Sequence, residues 1–240
     1  MRITLISDTH TKHGELTYDP KDLPGGDLLI HAGDIMNSGY NKHDIHDFCT
    51  WFHSLDQYED KVFIAGNHDR MFQDYPLEAN TIVNNYGSII YLQDDDFVLY
   101  FDGPNGEFPE DNIRIYGSPW QPEFYNWAFN LPKDGPELMS KWEAIPKDTD
   151  ILITHGPAYG HLDTVKGRSN DHLGCKLLAE RIERIQPKIH LCGHIHSGYG
   201  YEFKNNTHYF NVSVLDEQYE YTQKPVTFDW SKETNEITFI

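Results

Sequence analysis

Short runs of β-branched and aliphatic residues recur along the chain, and five of them end in a polar cluster. An apolar run of four to six residues bounded by polar or turn residues is typical of a buried strand. The sequence therefore predicts strands within the segments RITLISDTH, DLLIHAGD, KVFIAGNHD, DILITHG and KIHLCGHIH, which begin at Arg2, Asp27, Lys61, Asp150 and Lys188.

Two segments between these strands have the spacing of an amphipathic helix, with apolar residues on one face. The apolar positions are Ile45, Phe48, Cys49, Phe52 and Leu55 in the first segment, and Leu173, Leu177, Leu178, Ile182 and Ile185 in the second. Pro187 is expected to end the second helix, because proline disfavours continuation of a helix. Strands and helices therefore alternate, which indicates an α/β fold.

The last quarter of the chain contains further strand-like runs near Tyr199–Phe203, Tyr209–Val212, Val226–Trp230 and Ile237–Ile240. The segment Asp102–Asp111, rich in Gly, Pro and acidic residues, predicts a loop. Strand-like runs resume directly after it, so we expect no domain boundary there. The length of 240 residues favours a single domain over residues 1–240.

The five polar clusters are candidates for one shared site. They are Asp8-x-His10, Gly33-Asp34, Gly66-Asn67-His68-Asp69, Thr154-His155-Gly156 and Gly193-His194-Ile195-His196. Ligands of open α/β sheets bind beyond the carboxyl ends of the strands, where all five clusters lie. If the segments after the strands are extended, residues i and i+2 point the same way. Asp8 with His10, and His194 with His196, would then each aim two side chains at one place.

The residue types in these clusters suit a pair of transition-metal ions. Two metal ions about 3.5–4 Å apart need several protein ligands, with one group shared between them. Imidazole and carboxylate together favour Mn, Fe, Zn or Co over Ca²⁺ and Mg²⁺, which prefer oxygen ligands alone. We expect two divalent transition-metal ions, with manganese preferred. The nearby glycines at positions 33, 66, 156 and 193 are expected to allow tight turns.

The charge balance excludes some partners. The chain has 19 basic and 38 acidic residues, a net charge of −19. Long nucleic acids are bound largely through Lys and Arg contacts to phosphates, so none is expected as a partner. A small anionic substrate is compatible with this charge, because bound cations reverse the local field.

Composition also bears on location. The three cysteines, Cys49, Cys175 and Cys192, form no CxxC motif, which favours reduced thiols and a cytoplasmic location. The N-terminal segment does not have the pattern of a signal peptide, and the apolar runs are too short for a membrane span. No membrane association is expected, and the oligomeric state stays open.

The ordered set of clusters resembles the calcineurin-like metallophosphoesterase superfamily. More narrowly, the chain is similar to the metallophosphoesterase-domain (MPPED-like) group near the class III cyclic-nucleotide phosphodiesterases. The narrower similarity is carried by IAGNHD, IRIYGSPWQPEFYNWAFN, DILITHGPAYG and GHIHSGYG, and it extends from Arg2 to about Trp230. The resemblance implies two packed mixed β-sheets flanked by helices, a four-layer αββα sandwich.

The resemblance also implies the roles of the site residues. One metal would be bound by Asp8, His10 and His196, and the other by Asn67, His155 and His194, with Asp34 bridging them. A hydroxide between the ions would be the nucleophile. His68 would assist as a proton donor to the leaving group, and an imidazole is suited to this because it titrates near neutral pH. An alternative for His68 is a hydrogen bond to a phosphate oxygen.

Two departures from relatives narrow the expected activity. Protein Ser/Thr phosphatases have GDxxDRG, whereas this chain has GDIMNSGY, which argues against phosphoprotein substrates. Some members of the narrower group have glycine in place of His194, and its presence here favours a complete centre. The expected function is a phosphodiesterase for small phosphodiesters, with cyclic nucleotides among the candidates. The alternatives are a phosphomonoesterase or nuclease with the same metals, and a non-catalytic metal- or nucleotide-binding module.

Several further residues have two interpretations. Asp69 is expected either to orient a ligand such as His10 or to cap the following helix. For Cys192, His13, His161 and Arg70, packing or surface roles are favoured over ligand or substrate contacts. The aromatic segment Ser118–Asn130 is expected to cover the core, with stacking on a nucleobase as the alternative. The residues His43, His46 and His53 are interpreted as part of a solvated helix.

Overall fold

The computed structural model describes residues 1–17, 22–100, 112–165, 167 and 171–240, and the statements below concern those residues. The predicted loop Asp102–Asp111 lies outside the described residues. Within the described ranges, no helix is both long and apolar enough to cross a membrane.

The first sheet has six strands in the order β14-β13-β1-β2-β3-β4. Its strands are β1 (Arg2–Ile6), β2 (Gly26–His31), β3 (Tyr58–Phe63), β4 (Ile89–Tyr91), β13 (Val226–Ser231) and β14 (Glu236–Phe239). The strands β1 to β4 are parallel, whereas β13 and β14 pair in the antiparallel direction. The parallel part consists of the first three predicted strands and β4, which was not predicted.

The second sheet also has six strands, in the order β11-β12-β10-β9-β6-β5. They are β5 (Asp95–Leu99), β6 (Ile113–Ser118), β9 (Ile151–Thr154), β10 (Ile189–Cys192), β11 (Gly200–Lys204) and β12 (Thr207–Asn211). The central strands β6, β9, β10 and β12 are parallel and the two edge strands are antiparallel. Two short strands, β7 (Gln121–Pro122) and β8 (Asn130–Leu131), pair separately.

Helices cover the outer face of each sheet. They are α1 (Lys42–His53), α2 (Arg70–Asp74), α3 (Pro76–Asn84), α4 (Pro136–Glu143) and α5 (Lys176–Ile185), with 3₁₀ turns at His13–Thr17 and His196–Gly198. The first predicted helix is confirmed as α1, although Leu55 lies just beyond its end. The second is confirmed as α5, which ends at Gln186 in the left-handed conformation directly before Pro187.

The predicted start of that second helix at Leu173 was wrong. Leu173 is 48% exposed and lies before the helix. The backbone N–H of Leu173 donates to Asp163, and that of Cys175 donates to Pro157, so this stretch pairs with the preceding loop. Cys175 is instead the N-cap, and its Sγ accepts a hydrogen bond from the N–H of Leu178.

Three apolar clusters hold the layers together. One lies between the sheets and contains Ile3, Leu5, Leu28, Ile30, Val62, Ile153, Leu191 and Phe210. The second joins the outer face of the first sheet to α1, α2 and α3, and the third joins the second sheet to α4 and α5. Strands buried on both faces require nearly continuous apolar runs, which is the pattern the sequence shows. The four-layer αββα prediction is confirmed.

The two sheets meet at the edge where their parallel strands end. Ser7, after β1, forms a parallel bridge with Ser213, after β12, and the N–H of Val214 donates to the carbonyl of Ser7. This link brings the carboxyl ends of β1, β2 and β3 beside those of β9, β10 and β12. The polar clusters that follow these strands therefore face one another.

Candidate metal centre

All eight predicted site residues lie at this shared edge. Asp8 and His10 follow β1, Asp34 follows β2, Asn67 and His68 follow β3, His155 follows β9, and His194 and His196 follow β10. The seven predicted ligands, which exclude His68, are called the donor shell below. They are described below in the two predicted groups, with Asp34 taken first; the structure also places Asp8, Asp34 and His155 close together.

Asp34 is at the centre of this arrangement and is buried. Its Oδ2 lies 3.2 Å from Nε2 of His155 and 3.7 Å from Nε2 of His10. Its Oδ1 accepts a hydrogen bond from the backbone N–H of His68 at 2.8 Å. One carboxylate thus lies between two imidazoles from different strands, as a group shared by two metal ions must.

The first group contains Asp8, His10 and His196, and their potential ligand atoms all lie within 4.8 Å of one another. Oδ1 of Asp8 is 3.5 Å from Nε2 of His196 and 4.0 Å from Nε2 of His10. The other oxygen of Asp8 accepts a hydrogen bond from the Ser213 hydroxyl at 2.8 Å. This group combines two nitrogen donors with one carboxylate.

The second group contains Asn67, His155 and His194. Oδ1 of Asn67 is 3.0 Å from Nε2 of His155, and the rings of His155 and His194 have centroids 5.2 Å apart. The backbone N–H of His194 also contacts both carboxylate oxygens of Asp8 at 3.1 Å. His194 therefore connects the two groups through its main chain while its ring faces the second.

Backbone carbonyls orient the imidazoles of the donor shell. Nδ1 of His10 hydrogen-bonds to the carbonyl of Met36 at 3.1 Å, and Nδ1 of His155 to that of Ala32 at 3.0 Å. Nδ1 of His196 hydrogen-bonds to the carbonyl of Asp216 at 2.8 Å. A carbonyl only accepts, so each Nδ1 carries the proton and each Nε2 is directed to the centre, as in metal-binding histidines.

The buried Nε2 of His10 shows that the donor shell fits metal ions. It has no hydrogen-bond partner within the described part of the chain. A buried polar atom without a partner is costly unless a ligand satisfies it. A mixed imidazole and carboxylate set suits divalent transition metals. The residues present therefore fit the predicted pair of ions.

The backbone at four donor residues adopts an unfavourable conformation. The prediction that they converge because the segments after the strands are extended was therefore partly wrong. Asp8, His10, Asp34 and His194 all have positive φ, between 41° and 66°. The segments after β1 and β10 are thus not extended, and the i, i+2 rule does not explain the pairing. Such conformations are unfavourable for residues other than glycine and cluster at functional sites.

Two glycines are required because the backbone passes close to the carboxylates. A Cβ at Gly66 would lie 2.3 Å from Oδ1 of Asp34, and one at Gly193 would lie 2.0 Å from Oδ2 of Asp8. A Cβ at Gly156 would meet only Gln121, at ordinary contact distance, so close packing does not require a glycine there.

Burial and mutual charge set the protonation of the donor shell. Burial lowers the pKa of both His10 and His194 to about 4, which keeps these rings neutral at pH 7. Burial also lowers the pKa of His155 and His196, but the carboxylates of Asp34 and Asp8 outweigh it and raise both to about 9. Bound cations would therefore compete with protons for these two rings.

Asp69 connects the loops that carry the donors. Its Oδ2 accepts backbone N–H bonds from Gly66 at 2.7 Å and Asp34 at 2.9 Å, and its Oδ1 accepts one from Met36 at 2.8 Å. The Met36 carbonyl in turn binds His10. Asp69 precedes α2, but its side chain makes no capping bond. The structure favours the orienting role, exerted through the backbone.

His68 lies at the rim of the donor shell and opens onto a cavity. Its Nδ1 hydrogen-bonds to the carbonyl of Asn37, and its ring stacks on Trp127 with centroids 4.0 Å apart. The cavity has a volume of about 710 Å³ and is also lined by Asp34, Asn67, His194 and His196. With Nδ1 engaged, Nε2 is the ring nitrogen of His68 that is available to a ligand in this cavity.

The aromatic segment Ser118–Asn130 divides between core and cavity. Trp120 and Phe129 pack in the interior, as expected. Phe124, Tyr125 and Trp127, called the aromatic wall below, line the cavity instead. Tyr125 is 83% exposed and has a φ of 50°. The prediction of a core position was therefore wrong for these three residues.

Sequence reasoning missed residues that complete the site from distant loops. Ser213 and the Asp216 carbonyl hold Asp8 and His196, and the ring of Tyr219 lies 4.8 Å from that of His10. Tyr40 lines the cavity from the loop after β2. None of these residues follows a strand in a recognisable motif, so no sequence signal indicated them.

The remaining candidates have structural roles. Cys192 is buried in β10 and donates to the carbonyl of Phe210, and burial raises its pKa well above the ordinary value. His13 packs against Trp51, and His161 stacks on Tyr209 and pairs with Glu202. Arg70 binds the Asn126 carbonyl behind the cavity wall.

The helix histidines fit the predicted solvated face only in part. His43 and His53 are exposed, and His53 hydrogen-bonds to Ser88. His46 is half-buried beside Tyr86.

Comparison with known proteins gives a consistent result. Residues 1–198 match the family model described as calcineurin-like phosphoesterase. The chain is 39% identical to human metallophosphoesterase domain-containing protein 1 over 249 residues, covering 95% of this chain and 70% of that protein.

Solved structures with low sequence identity share the fold. A protein from Thermus thermophilus, TT1561, superposes with a TM-score of 0.64 at 15% identity, covering 99% of this chain and 97% of that one. A dimetal phosphatase from Danio rerio superposes with a TM-score of 0.54 at 11% identity, covering 97% and 93%.

Proposed function

Because the chain belongs to the calcineurin-like phosphoesterase family and is therefore a metal-dependent phosphoester hydrolase, we propose that its substrates are small phosphodiesters, with cyclic nucleotides among the candidates. The observation that carries this proposal is the cavity of about 710 Å³ that opens directly onto Asp34 and His68. Of the described residues that line it, none is Lys or Arg. Its walls therefore suit uncharged substituents of a phosphate more than additional phosphate groups.

In this proposal the donor shell would bind two divalent ions, one in each of the two predicted groups. Asp8, His10 and His196 would hold one ion, Asn67, His155 and His194 would hold the other, and Asp34 would be available to both. When bound, the ions would supply Lewis-acid activation of water and neutralisation of the phosphate charge. The mixed nitrogen and oxygen set supports Mn, Fe, Zn or Co, with manganese as the first choice.

His68 is proposed as the catalytic proton donor. Its Nδ1 is engaged by the Asn37 carbonyl, so a second ring proton would reside on Nε2, facing the cavity. Stacking on Trp127 fixes the ring plane. A proton delivered from Nε2 to the leaving oxygen lets that group depart as an alcohol.

The acidic surface supports small substrates over nucleic acids. The net charge of −19 would repel a polyanion, whereas the field inside a metal-loaded centre is locally positive. We also propose a cytoplasmic location, which is supported by the three buried free cysteines.

The decisive experiment compares diester and monoester hydrolysis by protein loaded with Mn²⁺. Activity on bis-p-nitrophenyl phosphate is expected to exceed activity on p-nitrophenyl phosphate. Equal or reversed activities would contradict the diester preference and favour a monoesterase. Cleavage of a DNA or RNA oligonucleotide faster than of bis-p-nitrophenyl phosphate would favour a nuclease. No hydrolysis with Mn²⁺, Fe²⁺, Zn²⁺ or Co²⁺ would favour a binding module.

A further inference from the structure

A second cavity meets the first at the donor shell. It has a volume of about 490 Å³, and it shares Phe124, His194, His196 and Tyr219 with the larger cavity. Phe124 lines both spaces, with its ring 5.8 Å from that of His194 and nearly perpendicular to it. A phosphate placed at the shared histidines would therefore border both spaces.

The second cavity differs from the first in its walls. Its described lining includes aliphatic and proline side chains beside polar ones, and the apolar residues are Pro122, Pro157, Val165, Leu173 and Ile195. Its described charged residues are Lys133, Glu123 and Glu217, one cation against two anions. Among these described residues there is no excess of positive charge for another phosphate, and the apolar side chains beside them suit an uncharged substituent.

His68 distinguishes the two spaces chemically. It lines the larger cavity and not the smaller one. The substituent that departs needs a proton donor, and the substituent that stays on phosphorus does not. With His68 as the proton donor, the leaving arm of a phosphodiester would belong in the larger cavity and the retained arm in the smaller one.

We propose that this site takes linear phosphodiesters with two uncharged apolar or aromatic arms, one in each cavity. The inference rests on the proposed diesterase function and names its substrate class. Water oxygen forms a new bond to phosphorus, and the bond from phosphorus to the leaving oxygen breaks. The leaving arm takes the electron pair and a proton and departs as an alcohol or phenol. The other product is the phosphomonoester of the retained arm.

The two-arm arrangement distinguishes linear phosphodiesters with uncharged arms from nucleic acids and from cyclic nucleotides. In a nucleic acid, both arms carry further phosphates, whereas the described lining of the two cavities offers one lysine or arginine, Lys133, beside Glu123 and Glu217. In a cyclic nucleotide, both ester oxygens belong to one ribose, so the substrate has a single arm and fills only one cavity.

Binding of an inert mimic tests occupancy of the second cavity. Diphenylphosphinate has two arms joined by P–C bonds and cannot be hydrolysed, and methyl(phenyl)phosphinate has one ring fewer. In Mn²⁺-loaded protein, calorimetry is expected to give roughly tenfold tighter binding of the diphenyl compound. Leu173→Asp and Val165→Asp should each remove most of this difference, because they place a charge in the wall of the second cavity.

A kinetic comparison then assigns the arms. Methyl 4-nitrophenyl phosphate and phenyl 4-nitrophenyl phosphate release the same 4-nitrophenolate and differ only in the retained arm. Leu173→Asp is expected to lower kcat/KM severalfold for the phenyl substrate alone. Tyr125→Ala, in the larger cavity, is expected to lower kcat/KM for both substrates by a similar factor. Phe203→Asp, an exposed aromatic position on β11, is the matched control and should change kcat/KM for neither substrate.

The outcomes separate this inference from the function on which it rests. No hydrolysis of either substrate by metal-loaded wild type would overturn the diesterase proposal and the inference with it. Hydrolysis of both, with a phenyl-to-methyl ratio that Leu173→Asp and Val165→Asp leave unchanged, would overturn the inference alone. Equal binding of the two phosphinates to wild-type protein would do the same.

Discussion

The donor shell and the aromatic wall face the same cavity but are held in place differently. The Nδ1 atoms of His10, His155 and His196 bind backbone carbonyls, and Asp34 accepts a main-chain N–H. The aromatic wall instead projects from a loop between two short strands, and Tyr125 is 83% exposed. The donor shell is held by hydrogen bonds to the backbone, whereas the aromatic wall presents side-chain surface to the cavity.

This difference predicts which quantity each region controls. Burial and positive φ at the donor residues lower the free energy of unfolding. Such unfavourable conformations are typical of residues whose geometry serves ligand binding or a reaction. Changes in the donor shell should therefore reduce metal content and turnover. Changes in the aromatic wall should leave both nearly intact and weaken substrate binding.

The largest effect is expected for Asp34→Asn. An amide at this position cannot provide a negatively charged group shared by two ions, so several kcal/mol of charge stabilisation are lost. We expect kcat/KM for bis-p-nitrophenyl phosphate to fall by about 10³-fold or more. The bound metal, measured by elemental analysis, should fall below two ions per chain.

Asp150→Asn is the matched control for this change. Asp150 is also buried and charged, but it precedes β9, at the opposite end of the strand from His155, and pairs with Lys232. It should lower the free energy of unfolding while keeping full metal content and near-normal kcat per loaded site. Retention of full activity by Asp34→Asn would contradict the assignment of the shared ligand.

The next largest effect is expected for His68→Gln, and it should depend on the leaving group. Loss of a positioned proton donor typically costs roughly 10²–10⁴-fold in rate. Methyl phenyl phosphate releases phenolate, which needs the proton, and should be affected most. Methyl 4-nitrophenyl phosphate releases a stable anion and should be affected much less.

The alternative role of His68 gives a different result. If its ring only hydrogen-bonds a phosphate oxygen, kcat/KM should fall by the same factor for both substrates. His53→Gln, an exposed position at the end of α1 that hydrogen-bonds to Ser88, should change neither.

Asp69→Asn is expected to have a smaller effect, and to act mainly on the affinity for metal ions. The amide can still accept N–H bonds through its oxygen, but its NH₂ group would oppose one main-chain donor. Positioning groups of this kind typically contribute about 10–100-fold to metal affinity. We therefore expect Asp69→Asn to weaken metal binding by about 10–100-fold. The unfolding free energy of metal-free protein should fall by about 1–3 kcal/mol, measured with urea.

Rescue by metal distinguishes positioning from catalysis at Asp69. Saturating Mn²⁺ should restore most of kcat in Asp69→Asn, because the residue acts through the loops and not on the substrate. Asp94→Asn is the control, since Asp94 also accepts several hydrogen bonds, but from Ser118, Trp120 and Lys141, none of which belongs to the donor shell or to the loops that Asp69 binds. It should lower stability without changing the Mn²⁺ affinity. Failure of Mn²⁺ to rescue Asp69→Asn would indicate a direct role.

The same contrast explains what could be predicted from the sequence. Strands with continuous apolar runs, and the polar residues that directly follow them, are local features, so β1, β2, β3, β9 and β10 and the polar clusters at their ends were predictable. The positive φ at Asp8 and His10 was not, because it depends on hydrogen bonds to the loop after β2, at Gly33 and Asp34. Ser213 and Tyr219 reach the site only through the pairing of β12 with β10. The aromatic wall looked like core, because composition does not show which face of a loop is exposed.

The smallest effect is expected for Tyr125→Ala, which tests the aromatic wall alone. An exposed aromatic contact typically contributes about 0.5–1.5 kcal/mol, which corresponds to a rise in KM of roughly 2- to 10-fold for bis-p-nitrophenyl phosphate. Metal content and kcat should stay near wild-type values, because Tyr125 contacts Phe124 and not the donors. Tyr159→Ala, at a partly exposed tyrosine that lines neither of the two cavities, should leave KM unchanged. A loss of bound metal in Tyr125→Ala would show that the wall also supports the donor shell, and the separation of the two regions would then fail.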